Sequence, residues 1–249
     1  MSKDSGALHK RVAVITGAGR GIGKAIALSF AREGAAICCV SRTEAEIKTT
    51  ALEISDVGGR GIAIQADVCN YESVQTMYQS AAGQLGGIDI VVINAGTNLD
   101  RRTVESSIVA DWHKTLETNL FGAYNSAKAA IPYLKERGGG KIITLGSGIG
   151  HRGNKERSAY AASKAGLWSL VTVLAQELWP SNITVNELIP GPVETSLTGD
   201  AEVSRSEVFK IESEWVKTPD DVTPLALFLA SQPDRGPTGQ SFSLMRRPK

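Results

Sequence analysis

The 249-residue sequence predicts an α/β fold: a doubly wound parallel sheet of about seven strands, with helices on both faces, forming one domain over residues 1–249. Three observations predict it. Short β-branched apolar runs alternate with longer helical patterns, the sequence mark of βαβ units. Several of the runs are apolar on both faces, as a sheet covered on each side requires. Glycines fall where each helical pattern should stop.

Each element follows in order. Residues 11–16 (RVAVIT) form the first strand, and a glycine-rich turn leads into a helix over 21–33 that stops at Gly34. The second strand, 35–40, contains Cys38 and Cys39, which read as small core residues, and the next helix runs over 43–56 to Gly58 and Gly59. Strand 61–66 precedes Asp67 and a helix over 70–85 closed by Gly86 and Gly87. Strand 88–94 ends on Asn94-Ala95-Gly96, and one long helix is expected over 107–136 before Gly138, Gly139 and Gly140. Strand 141–145 leads to Gly146-Ser147-Gly148 and a helix over 158–178. Strand 183–188 runs into Pro190-Gly191, and the polar, charged stretch that follows is longer than an ordinary loop, so it reads as a substrate lid over 192–218. A helix over 219–231 and a strand over 241–244 complete the series. No repeat, low-complexity segment or linker divides the chain.

Composition narrows the function. Hydrophobic residues at 42 % and charged residues at 21 % are ordinary for a globule and argue against disorder. With 27 basic against 26 acidic residues the formal charge is +1, so no global field favours nucleic acid or anionic lipid. No apolar run reaches the roughly 18 residues of a membrane span, and the polar stretch Met1 to Lys10 lacks a secretory signal, so a cytoplasmic protein is expected. Three cysteines, Cys38, Cys39 and Cys69, without a CxxC spacing suggest neither a disulfide framework nor a metal site.

Two motifs carry chemistry. The first strand-to-helix turn reads Thr16-Gly17-Ala18-Gly19-Arg20-Gly21-Ile22-Gly23, which fails GxGxxG in every register and fits GxxxGxG. Glycines there let the backbone approach a phosphate, and the helix start offers free N–H groups and a positive dipole end, which points to a dinucleotide pyrophosphate in a Rossmann-type fold. Tyr160 and Lys164 stand four apart on a helix and so share one face. A cation beside a phenol stabilises the phenolate and lowers its pKa, making the pair a tool for proton transfer. Gly17, Ser41, Asp67, Asn94, Ser147 and Pro190 all follow strand ends, so they converge on the rim where such sheets bind ligands.

With TGxxxGIG at 16–23, Asn94-Ala95-Gly96, Asn119, Ser147, YxxxK at 160–164 and Pro190-Gly191, the chain resembles the short-chain dehydrogenase/reductase family from about Lys10 to Phe242, including its 3-oxoacyl-[acyl-carrier-protein] reductase-like members. Ser147 precedes Tyr160 by thirteen residues, the family's own spacing. The resemblance implies an NAD(P)-dependent oxidoreductase that moves hydride between NADP(H) and a carbonyl or secondary alcohol. In it Asn119, Ser147, Tyr160 and Lys164 are the catalytic set: Tyr160 as general acid or base, Lys164 as its activator and ribose ligand, Ser147 on the substrate oxygen, and Asn119 anchoring a water that links Lys164 to solvent. The implied dinucleotide contacts are Gly17, Gly19, Arg20, Gly21, Ile22, Gly23, Ser41, Arg42, Asp67, Val68, Asn94, Ala95, Gly96, Tyr160, Lys164, Pro190, Gly191, Val193 and Thr195. Asp67 has a helix-capping alternative, and Asn94 a plain strand-end turn.

Where NAD-binding chains place an acid at the end of the second strand, this one has Ser41-Arg42. A guanidinium there, with Arg20, favours the 2′-phosphate of NADP(H); Glu44 and Glu46 nearby leave NAD(H) open. The expected partners are a small-molecule carbonyl or alcohol and further copies of the chain in a homodimer or homotetramer, with Trp168 a candidate interface residue. Lys135 and Arg137 suit the docking of an acidic acyl carrier protein, while Trp179-Pro180-Ser181 offers no positive charge, so that patch is incomplete. A dinucleotide-binding regulator without turnover is the alternative from another class. Glu187 stands where many relatives carry a small or apolar residue, and His151 reads as an exposed loop histidine.

Overall fold

The computed structural model describes residues 6–195, 197 and 216–245. Seven parallel strands form one sheet in the order β3-β2-β1-β4-β5-β6-β7. They are β1 (Val12–Thr16), β2 (Ala36–Ser41), β3 (Arg60–Gln65), β4 (Ile90–Ile93), β5 (Gly140–Leu145), β6 (Ile183–Ile189) and β7 (Ser241–Ser243). The helices are α1 (Gly21–Arg32), α2 (Glu44–Asp56), α3 (Tyr71–Leu85), α4 (Val109–Leu116), α5 (Gly122–Glu136), α6 (Gly148–Arg152), α7 (Ser158–Leu178) and α8 (Thr223–Ser231). The order reverses between β1 and β4, which opens a crevice at the carboxyl ends of those two strands.

Strand alternation sends side chains into two cores. Val12 and Val14 of β1 pack on one face with Tyr78 of α3, Ala130 of α5 and Leu167 of α7. Ala13 and Ile15 pack on the other with Ile26 and Phe30 of α1, Ile47 of α2 and Leu229 of α8. Every residue of β1, β4, β5 and β6 is buried, as strands covered on both sides must be. Cys38 and Cys39 sit in these cores, and burial raises both thiols, Cys39 to about 12, which keeps them inert.

Two elements differ from expectation. The single helix expected over 107–136 is broken by a π turn, Glu117–Phe121, between α4 and α5. The break coincides with Asn119, whose buried side chain turns inward to bind the main chain of Thr97 on both sides: Thr97 N–H donates to Oδ1 at 2.7 Å and Nδ2 donates to the Thr97 carbonyl at 2.8 Å. Single-turn bulges of this kind are frequent at functional sites. The short helix α6, not foreseen, begins on Ser147, whose hydroxyl accepts from Ile149 N–H at 3.3 Å. The lid expected over 192–218 lies largely outside the described residues.

Candidate active site

A cleft of about 480 Å³ opens at the carboxyl ends of β1, β2 and β4. The glycine turn forms its floor. Gly17 takes φ of +67°, and a Cβ there would stand 2.7 Å from Asn94 Nδ2. A Cβ on Gly23 would collide with the Gly17 carbonyl and the same Nδ2, so the turn and the first turn of α1 close on each other only because both lack side chains. Asn94 clamps this arrangement, donating from Nδ2 to the carbonyls of Thr16 at 2.9 Å and Gly17 at 3.2 Å. Thr16 Oγ1 accepts from the N–H groups of Asn94 and Ala95, fixing the end of β4 against β1.

α1 starts at Gly21 with no side-chain cap and no acidic residue in its first turn, and Gly21 and Ile22 line the cleft. Its orphan N–H groups and positive dipole end therefore face the cleft across a bare backbone, a cradle that fits a pyrophosphate. Further along the wall stand Ser41, Arg42, Thr43 and Arg20, with Glu46 3.9 Å from the Arg20 guanidinium. Arg42 makes no ion pair among the described residues. Asp67 and Val68 follow β3. Asp67 Oδ1 accepts from Cys69 N–H at 3.0 Å, while the cap of α3 is Asn70, which accepts from Ser73 N–H. Asp67 is thus not the helix cap.

Of the residues expected to hold a dinucleotide, Gly17, Gly19, Arg20, Gly21, Ile22, Ser41, Arg42, Asp67, Val68, Asn94, Ala95, Gly96 and Thr195 line this cleft. Gly23 lies behind its floor, and Pro190, Gly191, Val193, Tyr160 and Lys164 are not among the lining residues. Pro190 and Gly191 follow β6 at the same edge of the sheet, and buried Val193 bridges to Lys217. Thr97, Leu99, Arg101 and Thr118 also line the cleft without having been singled out. They come from the segment after β4 and from the π turn, where no spacing rule marks a wall residue.

α7 and β5 meet at the residues expected to handle the proton. Lys164 is buried, its Nζ 5.7 Å from the centre of the Tyr160 ring and donating to the Leu145 carbonyl at 2.7 Å. Burial drives its ammonium down to about 8, opposed by the charge of Glu187. Tyr160 departs from the expectation of a lowered phenol. Burial raises its pKa, and the Ser147 hydroxyl and the Arg157 guanidinium only partly offset the rise. Within this chain's own groups, desolvation outweighs cationic help. Asn119 donates its other amide hydrogen to Ser163 Oγ at 3.0 Å, so both its hydrogens are spent inside the protein.

Glu187 is the feature that spacing did not reveal. It is fully buried on β6, with Oε2 2.8 Å from His151 Nε2 and accepting from Ser241 Oγ at 2.5 Å, while Oε1 has no hydrogen-bond partner among the described residues. His151 is accordingly held in α6, its ring 5.1 Å from that of Trp168, and is not the free loop residue expected.

Fold and site together define an α/β oxidoreductase built around a dinucleotide cleft. Residues 11–205 match the short chain dehydrogenase family, and the chain belongs to it. A short-chain dehydrogenase/reductase of Armillaria gallica is 36 % identical over 94 % of this chain and 94 % of its own length. The 3-oxoacyl-[acyl-carrier-protein] reductase FabG of Chlamydia muridarum is 33 % identical over 95 % of this chain and 96 % of its own. The crystal structure of carveol dehydrogenase from Mycobacterium avium in complex with NAD superposes with a TM-score of 0.88 at 29 % identity, covering 96 % of this chain and 97 % of the other. Among the described residues no helix is long and apolar enough to cross a membrane, and no group of His, Cys, Asp and Glu is arranged to hold a metal.

Proposed function

We propose that the chain is an NADP(H)-preferring carbonyl reductase or secondary-alcohol dehydrogenase acting on a small ketone or hydroxy compound. The observation that carries this reading is the meeting of Ser147, Tyr160 and Lys164 at the carboxyl end of β5, on the same sheet edge as the bare-backbone cradle. Bound nicotinamide supplies or accepts the hydride. Tyr160 moves the proton at the substrate oxygen, donating in reduction and accepting in oxidation. Ser147 donates a hydrogen bond to that oxygen and stabilises alkoxide charge as it develops. Lys164 holds positive charge beside the phenol and binds the ribose hydroxyls; Asn119 braces the segment after β4 by its bonds to Thr97.

Preference for NADP(H) is supported by Arg42 and Arg20 beside the end of β2, where a guanidinium can grip a phosphate in a bidentate manner. Glu46 in the same wall, and the NAD-bound carveol dehydrogenase, keep NAD(H) as the competing cofactor. A homodimer or homotetramer in the cytoplasm is part of the reading. Assembly is supported by the exposed apolar side chains Phe121, Tyr124, Trp168 and Val173, which a monomer would leave in water.

The similarity to acyl carrier protein reductases favours one second reading, reduction of a 3-oxoacyl thioester. Arg137, expected to dock an acidic carrier, is instead spent on buried Asp89 at 3.0 and 3.3 Å, which leaves Lys135 as the exposed cation at that end. A panel of small ketones and 3-oxoacyl thioesters, followed by NADPH absorbance, separates the readings by kcat/KM. Higher values for small ketones support the first, and higher values for thioesters replace it with the second. Dinucleotide binding without turnover across the panel would make the chain a regulator.

A further inference from the structure

Glu187 is a buried acid for which hydride transfer has no use. A carboxylate is kept out of water only when it is paired and hydrogen-bonded. Here the two anchors on Oε2 come from different elements, His151 on α6 and Ser241 on β7. The other oxygen has no hydrogen-bond partner among the described residues. It points at the position before Ser147: a Cβ on Gly146 would overlap Glu187 Oε1, so the acid fits only because residue 146 is glycine. The residue before that glycine is Leu145, whose carbonyl accepts from Lys164 Nζ at 2.7 Å, and it pairs with Leu188, the residue after Glu187.

The other charged and titratable groups on the packed elements are few. On β5 the residue paired with Glu187 is Thr144, and the strand's charged side chain, Lys141, is engaged with Asp234 at the far end. β7 carries no charge. α6 contributes His151 and Arg152, and α7 contributes Tyr160 and Lys164 near the strand ends and Glu177 near its own end. Among these the acids are Glu187 and Glu177, and Glu177 lies at the other end of α7 from Lys164.

We propose that Glu187 is a positioning residue for the proton-handling pair: anchored by His151 and Ser241, its carboxylate supplies the counter-charge that keeps buried Lys164 in its ammonium form beside Tyr160. This rests on the reading of Tyr160 and Lys164 as that pair. The two charges interact without forming an ion pair, so Glu187 sustains the cation without taking it from the phenol. Burial depresses the Lys164 ammonium and the Glu187 charge opposes that depression, so removing the charge lets the proton leave at lower pH. The half-exposed imidazole of His151, 27 % accessible, ties this acid to solvent.

The test is the titration midpoint of Lys164 Nζ, followed by 15N NMR in the full-length protein and in Glu187→Gln. The midpoint should fall by about one pH unit, and the alkaline limb of the kcat/KM profile should move the same way while KM for the dinucleotide changes little. An unmoved midpoint overturns the proposal. Should Glu187→Gln fail to fold, Ser241→Ala decides. It removes one of the two anchors of the carboxylate and keeps Glu187 in place, so the Lys164 midpoint should fall in the same direction, and an unmoved value overturns the proposal. Neither midpoint needs turnover. If the wild type reduces no carbonyl, the functional reading fails and the coupling is still decided.

Discussion

The half of the site around β1 to β4 and the half around β5 to β7 are built from different material. The first is backbone: bare glycines, the free N–H groups of α1, and one asparagine clamping two carbonyls of the turn. The second is side chain: Ser147, Tyr160, Lys164 and Glu187, charged or polar, the last two buried and the first two partly so. A backbone cradle can hold an anion of fixed shape but cannot titrate. Buried side chains can titrate, and burial moves their pKa values further than any surface contact would. In the proposed reading, anion recognition and proton transfer thereby fall to different stretches of one sheet edge, the first around β1, β2 and β4 and the second around β5 and β6.

If that division holds, damage to the second half should stop chemistry and spare binding. Tyr160→Phe removes the proton and leaves the ring, so kcat should fall about 10³-fold or more while the NADPH dissociation constant, read by fluorescence titration, stays within about twofold. A variant that retains near-normal kcat would take Tyr160 out of the reaction. Gly23→Ala is the mirror experiment. Its methyl meets the Gly17 carbonyl and Asn94 Nδ2, and overpacking of this kind costs about 1–3 kcal/mol. We expect dinucleotide binding weakened about 10- to 100-fold, with a lowered Tm. Full affinity would show that the turn can open without cost.

The contrast also explains what could be seen in the sequence. Gly17, Gly21 and Gly23 were legible because a bare turn after a strand and before a helix tolerates few other residues, and β1, β4, β5 and β6 because runs buried on both faces must be apolar. Tyr160 and Lys164 were legible because helical spacing alone brings them together. Glu187 and His151 were not: their partners lie 36 and 54 residues away, and no local period connects β6 to α6 or to β7. The π turn escaped for a related reason, since it coincides with Asn119, whose side chain binds the main chain of Thr97, 22 residues earlier. The raised phenol of Tyr160 escaped because pairing is visible in a sequence and desolvation is not.

A smaller effect should separate the two ends of the first half. Arg42→Glu leaves the glycine cradle intact and reverses the charge beside Ser41. Loss of one charged hydrogen-bonding partner costs about 1.5–3 kcal/mol, so NADPH affinity should drop about 10-fold or more while NADH affinity holds or improves. Equal loss for both cofactors would mean that Arg42 supports the fold of the β2 end and does not read the 2′-position.

The smallest expected change is in stability, and it probes the cost of the second half. Lys164 has a folded-state pKa of about 8 against an ordinary 10.5. Below about pH 8 both states carry the proton and the folded state bears the full penalty of a buried ammonium. Between about 8 and 10.5 the unfolded chain binds more protons than the folded one, so this group's contribution to stability rises with pH. The unbranched Lys164→Met removes the charge and keeps much of the volume. It should therefore be more stable than the wild type at pH 7, by roughly 1–3 kcal/mol after the lost bond to the Leu145 carbonyl is counted. The advantage should shrink as pH rises through that window, in urea unfolding at pH 7, 8.5 and 10. A Lys164→Met less stable than wild type at every pH would mean that the carbonyl bond outweighs desolvation, and that the proton-handling half is held together by its charges and not strained by them.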